Sequence, residues 1–529
     1  MSSTVYGIDL GTTYSAIARI NDLDQAEIIR NTEGEETTPS VAYFEGTGEI
    51  VIGKQAKQVI VTDPDNGIAL IKRHMGTEHP LEFRGAEHTP ETISSLILRE
   101  LVNAANLETG EDVSQAVITV PAYFGIQERE ATKQAGAIAG LDVVGIVTEP
   151  VAAALSIGGG ADKQQTLFVY DLGGGTFDTT IMKVGGGRVE VVAIDGNRTL
   201  GGADWDQALI DLISEKFIDQ AGLGDDDPRY DDAFMSELRR DAEQTKQSLT
   251  KRPSATVRCR YGTADEQITV TREEFETATK HLVDQTIQIC NRATETAKQK
   301  DSDLSVDRFL LVGGSARMPM IEAALKDQLG LDPIRTDFDL AVAKGAAIYG
   351  QTAVDEVLVT DEDSPQPVAE DSKPRYYLGG ATSLEVSNVI SKALGLRFFR
   401  DEKDETGYIS FIAHSNDPIP MVADTIEAAT LSDNQSTIKL TIFEQSGEKE
   451  SESPADNNEL KDLELDVPPL PKGAPLAIEF QVTAEGLVRC KLTDPASGNS
   501  EEAEVQTSVM SADQVAEAKN VVAGLTLRS

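Results

Sequence analysis

GIDLGTTYS at residues 7–15 and VYDLGGGTFD at residues 169–178 are two versions of one design. In each, an apolar strand delivers an aspartate, Asp9 or Asp171, to its end, and Leu-Gly and a threonine come next. The glycines let the next stretch of backbone turn tightly and approach a ligand without side-chain clash, so each copy predicts a β-hairpin. A glycine-rich turn with free N–H groups and threonine hydroxyls can cradle phosphates, and a nearby carboxylate can hold magnesium through its water shell. One such hairpin alone is more simply an ordinary tight turn. Two matching copies far apart in the chain predict duplicated lobes around a phosphate-bearing ligand.

Outward from these hairpins, short β-rich runs alternate with helical stretches up to about residue 355, QAVITVP and RFLLVGG against REATKQAGAIAG and ALIDLISEKFID among them. That alternation predicts an α/β domain with largely parallel sheets. Residues 361–374, DEDSPQPVAEDSKP, combine acidic residues and prolines without apolar periodicity, as an exposed linker would. From about 388 to 507 apolar and polar residues alternate, as in Ile438, Leu440 and Ile442 separated by Lys439 and Thr441, which predicts a separate antiparallel β-domain. SADQVAEAKNVVAG then reads as a short helix, capped by Ser511 and stopped by Gly524. The expected division is 1–356, a linker at 357–387, a β-domain at 388–507 and a short helix within 508–529.

A chain of 529 residues is too long for one compact core. Its formal net charge of −42, with no basic patch, argues against binding nucleic acid or an anionic membrane surface. The N-terminus has no basic region followed by an apolar run, and no stretch has the length of a membrane helix, so an intracellular, cytoplasmic protein is expected. Cys259, Cys290 and Cys490 form no C-x-x-C pair and predict neither a disulfide framework nor a zinc site. Cys290 shares an apolar helical stripe with Val283 and Ile287 and reads as a buried thiol.

A third glycine cluster, FLLVGGSARMP at 309–319, follows an apolar strand and precedes a helix. Gly313 and Gly314 would permit close approach of a base or ribose, and Arg317 could stack on a purine; a plain strand-to-helix turn with a surface arginine is the competing reading. In SELRRDAEQTKQSLT, Leu238, Ala242 and Leu249 mark the buried stripe, while Glu243, Lys246 and Thr250 share another face that either meets a nucleoside or is solvated.

Together these residues resemble the heat-shock-70 chaperone family over nearly the whole chain. The two hairpins, VITVPAYFGIQEREATKQAG, VTEPVAAAL, TLGGADWD, LVGGSARMP and AVAKGAAIYG occur in the family's order. The resemblance implies an α/β actin-like two-lobed ATPase domain, with helices near Val151–Ala154 and Ala341–Ala347 as its hinge, followed by an antiparallel β-sandwich that binds extended apolar peptides. The sandwich match lies in SNDPIP, SDNQSTIKLTIF and KGAPLAIEFQVTAEGLVRCKLTD. ATP or ADP and Mg2+ are the implied cofactors, with K+ as a further candidate. Unfolded peptides, a J-domain co-chaperone and a nucleotide exchange factor are the implied partners.

Residue by residue, the resemblance implies that Asp9 and Asp171 hold magnesium through water. Gly11, Thr12, Thr13 and Tyr14, with Gly173, Gly174 and Gly175, would line the phosphates. Lys72 would orient the attacking water, with Glu149, Thr176 and Asp178 completing the set, as phosphoryl transfer requires. Gly201, Gly202, Glu243, Lys246, Thr250, Gly313, Gly314, Ser315, Arg317 and Asp339 would surround the nucleoside, and Pro121 and Arg129 would relay the nucleotide state. In the β-domain, Leu396, Phe399, Leu431, Ile438 and Leu440 are candidates for a peptide pocket, or equally for ordinary sandwich core.

Five departures from the family pattern stand out. Gln247 replaces a second adenine-stacking arginine, and the segment between Met75 and Thr89 is short. The apolar linker survives only as VLVTD at 357–361, and Gly145 stands where the family has a basic residue that helps to receive J-domains. After its short last helix the sequence shows no long helical lid, so a short, lidless member is expected. Three other classes share features with this reading: an actin-like filament protein, which would not need the β-domain; a sugar or acetate kinase, which needs an acceptor pocket; and an ATP-binding regulatory module with little turnover.

Overall fold

The structure is a computed structural model that describes residues 4–156, 163–186, 188–224, 226–335, 338–359, 375–378, 382–447, 449–483, 486–505 and 510–528. Both quoted hairpins form. Val5–Asp9 pairs antiparallel with Tyr14–Ile20, and Gln165–Leu172 pairs antiparallel with Phe177–Gly185. On its other side each first strand pairs in parallel with a later one, Gln115–Val120 in the first lobe and Arg308–Val312 in the second. The full orders repeat. The first sheet runs Asp142–Thr148, Gln115–Val120, Val5–Asp9, Tyr14–Ile20, Ala26–Ile29, and the second runs Pro333–Arg335, Arg308–Val312, Gln165–Leu172, Phe177–Gly185, Arg188–Asn197. The expected parallel sheets are thus mixed, because a turn as short as Leu10–Thr13 can only join antiparallel neighbours.

Two helices, Glu149–Ser156 and Phe338–Val359, cross between the lobes at the expected hinge. Their contact needs small residues: a Cβ on Gly345 would lie 1.7 Å from the carbonyl oxygen of Ala152, and one on Gly7 would lie 2.1 Å from the nitrogen of Ala347. Cores fill both lobes, around Ile8, Leu96 and Ile118 in the first and around Trp205, Phe217 and Phe275 in the second. Cys290 is buried as expected, as are the other two cysteines, all unpaired.

The β-domain consists of two facing sheets. One runs Tyr408–Ala413, Leu394–Phe398, Gln435–Gln445, Asn457–Leu470, and the other runs Met421–Val422, Pro475–Val482, Val488–Thr493, Ser500–Val505. The period-two pattern points inward: Leu440 opposes Leu463, Phe480 opposes Cys490, and all four are buried. Each such apolar side chain contributes about 1.5–3 kcal/mol on burial.

This domain rests against both lobes. Thr382–Val389 adds in parallel to Arg188–Asn197, extending the second lobe's sheet across the expected boundary at 387. VLVTD, expected as the apolar linker, continues the helix Phe338–Val359 as far as that helix extends, and residues 361–374 lie outside the described residues. The last helix forms as Ala512–Gly524 with Ser511 and Gln514 as a capping box, and packs on helices Pro90–Thr109 and Ile126–Ala139 of the first lobe. Beyond it lies a short strand with no signal in the sequence: Thr526–Arg528 pairs in parallel with Glu49–Ile52, and Arg99 donates to the carbonyls of Val522 and Leu525.

Candidate functional site

The site grows from the two hairpin turns, which meet across the cleft. In the first, Thr119 Oγ1 donates to Asp9 Oδ1 at 3.0 Å, and Ser40 closes the loop by donating its Oγ to the Gly11 carbonyl at 2.8 Å and its N–H to the Thr13 carbonyl at 2.8 Å. In the second, Gly173 N–H donates to the Thr176 carbonyl at 3.0 Å and Asp171 lies opposite Asp178 in the strand register. A Cβ on Gly174 would sit 2.1 Å from Thr13 Cγ2, and one on Gly175 would sit 2.2 Å from Thr12 Cγ2. Only glycine lets the two lobes' turns come this close.

Another glycine pair, Gly201–Gly202, seals the same place. Gly202 and Ala203 donate their N–H groups to the carbonyls of Gly173 and Gly174 at 3.0 and 2.8 Å. A Cβ on Gly201 would lie 2.4 Å from the Gly175 carbonyl carbon, and one on Gly202 would lie 2.2 Å from Ser315 Oγ. Gly313 adopts φ +82°, where a side chain would strain the backbone, whereas a Cβ on Gly314 would meet nothing within 4 Å and so leaves an open shelf beside Arg317. On the helix Asp232–Lys251, Lys246 Nζ donates to the Gly202 carbonyl at 2.8 Å and pairs with Asp206 at 2.7 Å. Glu243 pairs across the cleft with Lys57 at 2.8 Å, and Lys57 also donates to the Tyr14 hydroxyl at 3.2 Å. Thr250 spends its hydroxyl on the Lys246 carbonyl, and Gln247 is exposed. Asp339 lies in the helix Phe338–Val359, with its side chain outside the described residues.

Below the turns, Lys72 is 4% exposed and pairs with Glu149 at 2.6 Å, its ammonium 5.8 Å from the Phe124 ring centre. Thr12 and Thr176 are buried as well. Asp178 is buried with Oδ1 unpartnered; burial first, then the charges of Glu149 and Asp171, hold its carboxyl well above the ordinary aspartate range. Tyr123, which the sequence did not single out, is half-buried there, with its hydroxyl buried and unpartnered and its pKa raised by burial and by Asp178.

This chemistry fits a magnesium nucleotide. The cleft offers two glycine turns that leave room for phosphates, buried threonine hydroxyls, a buried carboxylate oxygen awaiting a donor, and a lysine for a developing negative charge. Among the described residues no three His, Cys, Asp or Glu side chains gather as a metal cage. Two carboxylates acting through water, with phosphate oxygens as the direct ligands, need none.

Around Pro121, the Phe124 N–H donates to the Pro121 carbonyl at 3.2 Å, and the Phe124 carbonyl accepts both Arg129 Nε and Ser391 Oγ at 3.0 Å. Arg129, of the pair expected to relay nucleotide state, therefore meets the β-domain through the Phe124 carbonyl that it shares with Ser391. Near it Lys392 pairs with Glu128 at 2.7 Å and Glu444 accepts the Ile126 N–H at 3.0 Å. On the second lobe Asn416 exchanges side-chain hydrogen bonds with the Ile194 peptide. Leu396, Ile438 and Leu440 lie within the sandwich core, while Leu431 and Phe399 are half-buried, the latter 5.5 Å from the Arg397 guanidinium. Tyr349 fills the space over Gly145, 3.1 Å from where a Cβ would be.

A family model described as Hsp70 protein matches residues 5–82, 79–365 and 387–523. The chain belongs to the Hsp70 family. Its relatives include the Chaperone protein DnaK of two strains of Halobacterium salinarum, each 37% identical over 513 residues that cover 94% of this chain and 74% of the relative. Membership makes this Hsp70 an ATP-hydrolysing chaperone with an actin-like two-lobed domain and a β-sandwich, and sets aside the filament and kinase readings. As in the family, nucleotide with Mg2+ is its cofactor, and unfolded peptides and co-chaperones are its general class of partner. Among its described residues no helix is long and apolar enough to cross a membrane.

Proposed function

We propose that ATP turnover in this Hsp70 is carried by Lys72, Glu149, Thr176 and Asp178 acting on a water held against the terminal phosphate. The observation that supports this most is the buried Lys72–Glu149 pair beside the unpartnered Oδ1 of Asp178, directly under the interlocked glycine turns. Glu149 fixes where the ammonium points, and Lys72 positions the water and offsets charge at the attacked phosphate. Asp178, kept less acidic by its surroundings, can hold or accept a proton of that water. Magnesium, when bound, would neutralise phosphate charge between Asp9 and Asp171, with K+ as a candidate second ion. Gly201, Gly202, Gly313, Gly314, Ser315 and Arg317 would seat the nucleoside, with Glu243 and Lys246 at its edge.

The proposed units are a nucleotide domain at 1–356, a linking segment at 357–387, a peptide-binding sandwich at 388–507 and a C-terminal segment at 508–529. Pro121 and Arg129 support coupling between them, through the Phe124 carbonyl that Arg129 shares with Ser391. Leu431 and Phe399 are the accessible members of the proposed peptide site. A J-domain protein and a nucleotide exchange factor are the proposed partners. Titrating a labelled apolar peptide in ATP and in ADP tests the reading: affinity should be lower and exchange faster in ATP. Equal affinity and equal exchange in both would overturn the coupling.

A further inference from the structure

Arg73 connects the lysine of the first lobe to both glycine turns of the second. Lys72 and Arg73 are consecutive in the 3-10 turn Ile71–His74, where successive side chains point about 120° apart. Lys72 therefore reaches Glu149 while Arg73 crosses the cleft. Its Nε donates to the Gly175 carbonyl at 2.7 Å and its Nη2 pairs with Asp204 Oδ2 at 2.9 Å. The same Asp204 oxygen accepts the Gly201 N–H at 2.7 Å and so closes the start of the helix Gly202–Ala221. Arg198 Nη2 donates back to the Arg73 carbonyl at 3.3 Å, tying the turn itself to the second lobe.

The Gly175 carbonyl and the Thr176 N–H belong to one planar peptide unit, so fixing the oxygen fixes the direction of that N–H. No side chain on Gly174 or Gly175 restrains this peptide. A planar fork with fixed donor directions can hold the carbonyl and the carboxylate at once, which a single ammonium does poorly. We propose that Arg73 is a positioning residue for ATP hydrolysis: from the first lobe it locks the Gly175–Thr176 peptide and the Asp204 cap, aligning Thr176 and Asp178 with Lys72 when the cleft is closed. The inference rests on the assignment of this cleft to ATP turnover.

Single-turnover hydrolysis of Mg-ATP and binding of fluorescent ADP, measured on the full chain and on R73A, R73K, D204N and K72A, test it. Misalignment of this kind lowers the R73A rate about ten- to a hundredfold, with ADP affinity changing much less. R73K recovers at most part of the rate, and D204N falls between R73A and the unmodified protein. If R73A does not fold, R73K decides alone. An R73A rate within twofold of the unmodified protein, or full recovery in R73K, beside an inactive K72A overturns the role of Arg73 by itself. If instead the unmodified protein turns over no ATP, or K72A turns over as fast as it does, the assignment of the cleft falls and the inference falls with it.

Discussion

Lys72 is buried so deeply that its charge needs the Glu149 carboxylate beside it. K72A should abolish hydrolysis while ATP still binds, because the glycine turns and the Lys246–Asp206 pair that would hold the nucleotide are untouched. It should also lose about 3 kcal/mol of stability, since Glu149 is left beside Asp178 without its cation. Turnover by the variant equal to that of the unmodified protein would sink the role given to Lys72. The glycines separate in a similar way. Gly201→Ala forces a Cβ onto backbone atoms of Gly175 and Thr176 that cannot rotate aside, and should cost about 1–3 kcal/mol, read as a lower melting temperature. Gly314→Ala opens onto empty space and should leave the melting temperature unchanged. Equal shifts for both would mean that the turns relax more than their contacts indicate.

At the scale of elements, the sequence held the hairpins and little of what joins them. DLG followed by threonine announces its turn chemistry locally, so Asp9, Asp171 and the glycines fell where expected. Lys57, Ser40, Tyr123 and Arg73 carry no local signal; their importance comes from tertiary neighbours, Lys57 meeting Glu243 from far along the chain. The peptide-pocket candidates show the same limit, since alternation marked Leu396, Ile438 and Leu440 as inward-facing without separating core from groove. The contact between sandwich and first lobe is just as silent in sequence. There Glu444 is held above the ordinary glutamate range, by burial first and by Glu128 next, against the pull of Lys392 at 3.5 Å. A carboxyl whose pKa is raised in the docked state binds its proton better there than in the undocked state. Docking is thus favoured below the undocked value and weakens as pH rises through the docked value. Lowering the pH from 7 towards 5 should therefore increase the docked fraction, measured by energy transfer between dyes on the two domains. E444Q keeps an acceptor for the Ile126 N–H and removes the buried charge, so it should raise the docked fraction at pH 7 and flatten this dependence. A steeper dependence in E444Q would show that another group titrates.

Over the whole molecule, 89 acidic against 47 basic residues leave a net charge of −42, and the folded chain holds that charge closer together than the unfolded one does. Salt acts on this in two opposing ways. Screening weakens pairs such as Arg528 with Glu45 and Glu49, which tie the C-terminal strand to the first lobe, but exposed pairs of this kind contribute about 0–1 kcal/mol each. The like-charge repulsion is summed over the surface and acts over distances that salt shortens, from a Debye length of about 10 Å at 0.1 M to about 3 Å at 1 M. The buried Lys72–Glu149 and Lys392–Glu128 pairs are reached by salt much less. Relief of repulsion should win, and the melting temperature should rise by about 5 °C or more between 0.05 and 1 M NaCl. Potassium chloride should give the same rise if charge screening is the cause. A melting temperature that falls with salt would mean that surface ion pairs, and not net repulsion, dominate the stability of this chain.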